Sequence, residues 1–84
     1  MRRSSRVEIL GAISSIQTID GGPGIRQHAR LVKAYGGAQW RKLTGIVLAR
    51  LRDRSLQVVE VHWYQAHGIG RREMKVKRLI GQRT

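Results

Sequence analysis

Hydrophobic periodicity changes twice along this 84-residue chain, and glycine marks both changes. Val7 to Ile19 is rich in Val and Ile and reads as one or two strands. Gly11, isolated within it, reads as a bulge. Gly21-Gly22-Pro23-Gly24 breaks that run. The next segment, GIRQHARLVKAYG, reads as a short helix. Ile25, Ala29 and Val32 fall at i, i+4 and i+7 and make an apolar stripe, which Leu31 and Tyr35 widen. Arg26, Arg30 and Lys33 repeat at the same spacing as a cationic stripe, and Gly36 is placed to end the helix.

After the second break, Gly36-Gly37, and from Trp40 onward, the period becomes two. Three antiparallel strands are predicted, at about residues 42–51, 56–65 and 70–80. Arg52-Asp53-Arg54-Ser55 turns the first pair, and Ala66-His67-Gly68-Ile69 turns the second. The expected fold is a single α+β domain over residues 1–84, with one short helix packed on a curled antiparallel sheet of three to five strands.

Register follows from where the turns are centred. With Gln65 opposite Gly70, Tyr64 faces Arg71, Trp63 faces Arg72, His62 faces Glu73 and Glu60 faces Lys75. Alternation then puts Val59, Val61, Trp63, Met74 and Val76 on a core face. Glu60, His62, Tyr64, Arg71, Glu73, Lys75 and Lys77 share the other face. A turn centred on Asp53-Arg54 adds Ile46 and Leu48 to the core face and sets Gly45 opposite His62. There Gly45 reads either as an open floor beside the histidine or as a bulge or bend. The helix is expected to cover the core face with Ile25, Ala29 and Val32.

Charge changes what this architecture is for. Seventeen Lys/Arg stand against five Asp/Glu, a formal net charge of +12, with a sequence pI near 11.8. Self-repulsion of that size disfavours compaction and points to a polyanionic partner. Nucleic acid ranks first, an acidic protein second and a membrane surface third. No basic amphipathic helix with a bulky apolar face argues for the membrane. With no cysteine, neither disulfides nor thiolate zinc hold the fold, and three scattered histidines do not make a metal site. The apolar run after the basic start is too short for a signal peptide or a membrane span, so a cytoplasmic protein is expected.

Two chemistries fit the polar face. RNA cleavage by its own 2′-OH needs a base, an acid and cations for the charged phosphorane. Glu60 or Glu73 is the candidate base, and His62 or His67 the candidate acid, because imidazole titrates near neutrality. Arg41, Lys42, Arg71, Arg72, Lys75 and Lys77 are candidate phosphate contacts, and Tyr64 a stacking or hydrogen-bonding group. No metal or cofactor is required. The other chemistry is binding without cleavage, in which the same cations hold RNA or DNA and the histidines and acids are structural. A third reading is a basic module that binds an acidic chain. His28 is read as a helix-surface or core-edge residue. The loop Asp20-Gly-Gly-Pro-Gly lacks the Walker lysine pattern and the full dinucleotide fingerprint, and reads as a turn.

The segments QWRKLTGIVLARL and VEVHWYQAHGIGRREMKVKRLI resemble a group of small basic bacterial proteins common in cyanobacteria. Members share a Trp-Arg-Lys-Leu-Lys-Gly segment, a strand ending in His-Trp-Tyr, a His-Gly-x-Gly loop and a basic strand. Thr44 stands here where the group has lysine. That resemblance covers about half the chain and implies no activity by itself. In architecture, a helix followed by a curled sheet with a basic, histidine-bearing face is similar to RelE/ParE-type and barnase-like ribonuclease toxins. That similarity implies an endoribonuclease toxin with an acidic antitoxin or immunity protein as partner. A homodimer through an exposed edge strand is left open.

Overall fold

The computed structural model describes residues 7–82. Four strands, β1 (Glu8–Gly21), β2 (Arg41–Arg50), β3 (Leu56–Ala66) and β4 (Gly70–Gln82), form one antiparallel sheet in the order β1-β2-β3-β4. Between β1 and β2 lie a single 3-10 turn, Gly22–Gly24, and one helix, α1 (His28–Tyr35). The chain is α+β with mostly sheet. The Val/Ile-rich run is one strand, and Gly11 is its bulge: φ is +80° there, and the register shifts between Leu10 and Ser14. α1 ends at Gly36, φ +80°, whose N–H donates to the Val32 carbonyl at 2.8 Å.

Both turns are one residue tighter than the sequence suggests, and this corrects the register. In the β2–β3 turn, Leu51 N–H donates to the Ser55 carbonyl, and Arg54 takes a left-handed φ of +74°. That is a three-residue loop, closed by Asp53 accepting from the Ser55 N–H and Oγ–H. A one-residue slip moves every side chain to the other face. Gly45 therefore pairs with Val61 and Thr44 with His62, while Ile46 pairs with Glu60 and Leu48 with Val58. Ile46 and Leu48 leave the core face, and Leu43, Val47 and Ala49 take their place. Gly45 is no open floor beside His62. A Cβ there would overlap Ile13 Cγ2 and lie 3.3 Å from the Trp63 ring, so glycine admits a close approach of β1.

The β3–β4 turn sets Ala66 opposite Gly70 and hence Tyr64 opposite Arg72, not Arg71. A bulge at Glu73, φ +59°, then shifts the pairing so that His62 faces Lys75 and Val61 faces Val76. Met74 and Val76 thereby reach the core side as expected, because the bulge compensates for the shorter turn.

Val59, Val61, Trp63, Leu43, Val47 and Ala49 form the main buried cluster. Ile9 and Ile13 of β1 and Met74 and Val76 of β4 pack against it. Both edge strands thus touch one cluster, which requires the open sheet to coil around this face. The helix does not cover it. Ile25, Leu31 and Trp40 join Ala66, with Tyr64 and Ile69 packed alongside, in a second cluster at one end of the opposite face. Trp40 Nε1–H donates to the Gly36 carbonyl at 2.9 Å and locks the helix exit to the start of β2. Of the expected stripe only Ile25 is buried; Ala29 and Val32 are exposed, and Leu31 is the helix residue that is sealed.

Candidate nucleic-acid interface

On the face opposite the main cluster, register sets side chains in cross-strand rows. Asp20, Lys42, Tyr64 and Arg72 make one row across all four strands. Thr44, His62 and Lys75 make the next, and Ile46, Glu60 and Arg78 the third. α1 stands over the first row, so helix and sheet meet in a corner.

Two carboxylates organise the corner. Glu73 Oε1 and Oε2 accept from both terminal nitrogens of Arg30, at 2.8 and 2.9 Å, and Oε2 also accepts the Tyr35 hydroxyl at 2.8 Å. The bidentate guanidinium, then the phenol, holds the Glu73 carboxyl at about 2, well below the carboxylate range. The same contact raises the Tyr35 hydroxyl. The left-handed bulge turns Glu73 toward the helix, so its role here is to pin α1 to β4. Arg72 lies 5.5 Å from the centre of the Tyr35 ring and completes the joint.

Glu60 is the second. Its Oε2 accepts from His62 Nε2–H at 2.7 Å and from Thr44 Oγ1–H at 3.4 Å. Its Oε1 accepts from Arg78 Nε and the adjacent terminal nitrogen at 2.9 and 2.8 Å. His62 first, and Arg78 next, lower its carboxyl pKa. Because the ionised carboxylate only accepts, Nε2 carries the His62 proton. The other ring nitrogen, Nδ1, is buried without a partner.

The remaining acids are also engaged: Glu8 with Arg50, Asp53 with Ser55, and Asp20 through Oδ1 with the Gly21 N–H. Among the described residues, Arg26, Lys42, Arg72, Lys75 and Lys77 have no carboxylate partner. Lys42, Lys75 and Lys77 line a narrow cleft of about 50 Å³ with His62, Tyr64 and Glu73. The Lys42 ammonium is 5.9 Å from the centre of the Tyr64 ring. The corner is a cationic, partly aromatic surface on which Arg30 neutralises Glu73 and Arg78 neutralises Glu60, while Asp20 has no cationic partner among the described residues.

Comparison with family models, curated proteins and solved structures finds no match. What the corner can do follows from its chemistry.

Of the residues singled out from the sequence, Lys42, Glu60, His62, Tyr64, Arg72, Glu73, Lys75 and Lys77 share this face. Three do not. Arg71 pairs with Gln65 and lies 5.3 Å from the Trp63 ring, on the other face, because the turn is one residue shorter. His67 is exposed in the β3–β4 turn and lines a different depression, with Arg41, Gln39, Gly21 and Gly22. His62 and His67 therefore do not work on one substrate atom in this geometry. Sequence reasoning missed Arg78 and Arg30, the partners of the two acids. Arg30 was visible as part of the helical cationic stripe, but the bulge that brings Glu73 to it has no sequence mark. Among the described residues, no group of three or more His, Asp or Glu side chains is placed to hold a metal.

Proposed function

We propose that this chain is a nucleic-acid-binding module that takes a phosphate backbone into the corner between α1 and the polar sheet face. The observation that carries this reading is the pairing pattern. Glu60 and Glu73 are consumed by Arg78, His62, Arg30 and Tyr35, while Lys42, Arg72, Lys75 and Lys77 are left without a carboxylate around Tyr64. Cations so placed meet phosphate oxygens, and affinity then comes from counterion release and falls steeply with salt. No helix among the described residues is long and apolar enough to cross a membrane, and we place the module in the cytoplasm, with RNA or DNA as its partner.

A second reading, a metal-independent endoribonuclease of the toxin type with an acidic antitoxin as inhibitor, has one specific observation in its favour. Glu60 and His62 form a 2.7 Å acid–imidazole pair in the row beside Lys75. In that reading Glu60 takes the 2′ proton, His62 protonates the leaving 5′ oxygen, and Lys75 and Lys77 stabilise the phosphorane. Against it stand the four donors already on Glu60 and the sealed Nδ1 of His62, which leave the pair no ready route for a proton. One experiment separates the two. Purified protein is incubated with labelled RNA in excess chelator, and binding and cleavage are read together, with His62→Ala in parallel. Salt-sensitive binding of intact RNA supports the module. Discrete fragments that disappear in His62→Ala establish the enzyme, and no binding at low salt rejects both.

A further inference from the structure

The loop Asp20-Gly-Gly-Pro-Gly reads as a plain turn in the sequence, yet it walls a depression in the helix–sheet corner. This space, about 370 Å³, lies between the loop, the start of the helical segment and the first cross-strand row. It falls in the size range of small-ligand pockets. Lys42 and Tyr64 line both it and the narrow basic cleft, so the two adjoin.

Its walls offer distinct functions. Tyr64 gives an aromatic wall and the buried Ile25 an apolar one. Asp20 and Lys42 are register partners but form no ion pair, so each presents its polar end to the space separately. Asp20 Oδ1 accepts only the adjacent Gly21 N–H, and Oδ2 has no donor among the described residues. Gln27 Oε1 accepts from Arg30 Nε–H at 2.7 Å, which leaves its amide N–H groups as the donors facing the pocket. Gly24 keeps the carboxylate accessible: a Cβ there would lie 2.8 Å from Asp20 Oδ1.

A carboxylate at the end of a groove for a polyanion costs attraction unless the ligand brings donors to it. We infer that this depression is a nucleobase pocket selective for guanine on a single strand whose phosphates run along the basic cleft. The inference rests on the binding reading above. Guanine alone among the bases sets its amino group beside a ring N–H, two donors that match the two oxygens of Asp20. Its O6 accepts from Gln27. Tyr64 stacks the ring, with Lys42 and Arg26 at hand for the flanking phosphates. Uracil and thymine turn carbonyl oxygens toward the carboxylate and are repelled. A paired guanine has this edge occupied, so the strand must be single.

The test uses the full chain and fluorescent uracil-only RNA oligonucleotides in which one central base is G, inosine, A, C or U. The expected result is binding of the G strand about tenfold tighter than the all-U strand, the size of one good bidentate contact. Inosine, which lacks the amino group, falls between them. In Asp20→Asn and in Gly24→Ala, which crowds the carboxylate, the G-to-U ratio falls to within about twofold. Equal affinity for all five strands, with salt-sensitive binding intact, overturns the guanine pocket and leaves the backbone reading standing. An unchanged ratio in Asp20→Asn also overturns it. If no strand binds at low salt, the backbone reading fails and the pocket fails with it.

Discussion

On one face of the sheet, Leu43, Val47, Ala49, Val59, Val61 and Trp63 expose at most 6% of their surface. One residue away along the same strands, Lys42, His62 and Tyr64 stand with Lys75 in a charged corner. The first face supplies stability, because removing apolar area from water is the dominant favourable term in folding. The second spends some of it, since unpaired cations repel one another. Strand alternation lets one segment do both. Two acids of the charged face hold its geometry: Glu73 ties the helix down, and Glu60 gathers Arg78 and His62.

Substitutions on the two faces should therefore separate stability from binding. The largest stability effect belongs to Trp63→Ala, which opens a cavity in the main cluster and should cost about 3–5 kcal/mol by urea unfolding. A loss below about 1 kcal/mol would mean the cluster is not the core. Gly45→Ala comes next. Its Cβ would overlap Ile13 Cγ2 and crowd Trp63 and the Ser14 carbonyl, so overpacking of about 1–3 kcal/mol is expected in the same assay.

Glu73→Gln is smaller. The amide keeps the shape but loses the charge that Arg30 and Tyr35 hold, and about 1–2 kcal/mol is expected after allowance for solvent screening. Amide hydrogen exchange in α1 should rise more than in β2 and β3. The same contact sets a pH dependence. The Glu73 carboxyl is lowered from 4.5 to about 2 on folding, so its contribution is complete above the unfolded value. It is lost as pH falls from about 4.5 toward 2. The acid limb of an unfolding curve should lie in that window and flatten in Glu73→Gln. Smallest of all, Lys42→Gln and Lys75→Gln should change stability by no more than about 0.5 kcal/mol.

The strands, the end of the helix at Gly36 and the bulge at Gly11 were legible in the sequence, because β-branched runs and isolated glycines carry direct conformational signals. The membership of the charged face was partly legible, since Glu60, His62, Tyr64, Lys75 and Lys77 were expected there, whereas Lys42, in phase with Ile46 and Leu48, reaches it only through the corrected register. Register was not. Arg54 and Glu73 adopt left-handed conformations that their residue types do not advertise. Arg54 closes a three-residue loop that moved Ile46 and Leu48 to the face opposite that expected, the equally short β3–β4 turn moved Arg71, and the Glu73 bulge returned Met74 and Val76 to the core side. The helix was legible as a helix, but not the face it covers. Its two stripes could pack either way, and the choice is made by Trp40 and by the Arg30–Glu73 contact between residues distant in sequence.

On the proposed reading, binding belongs to the helix–sheet corner and not to net charge in general. The most direct test compares two variants that each lose two cations: Lys42→Gln with Lys75→Gln in the corner, and Arg52→Gln with Arg54→Gln in the β2–β3 turn. The dissociation constant of a single-stranded oligonucleotide is measured against salt. The corner variant should lose about 1.4 from the slope of log K against log salt, at ~0.7 per single-strand phosphate contact, while the turn variant keeps the parent slope. Equal losses in both, or none in the corner variant, would contradict the account.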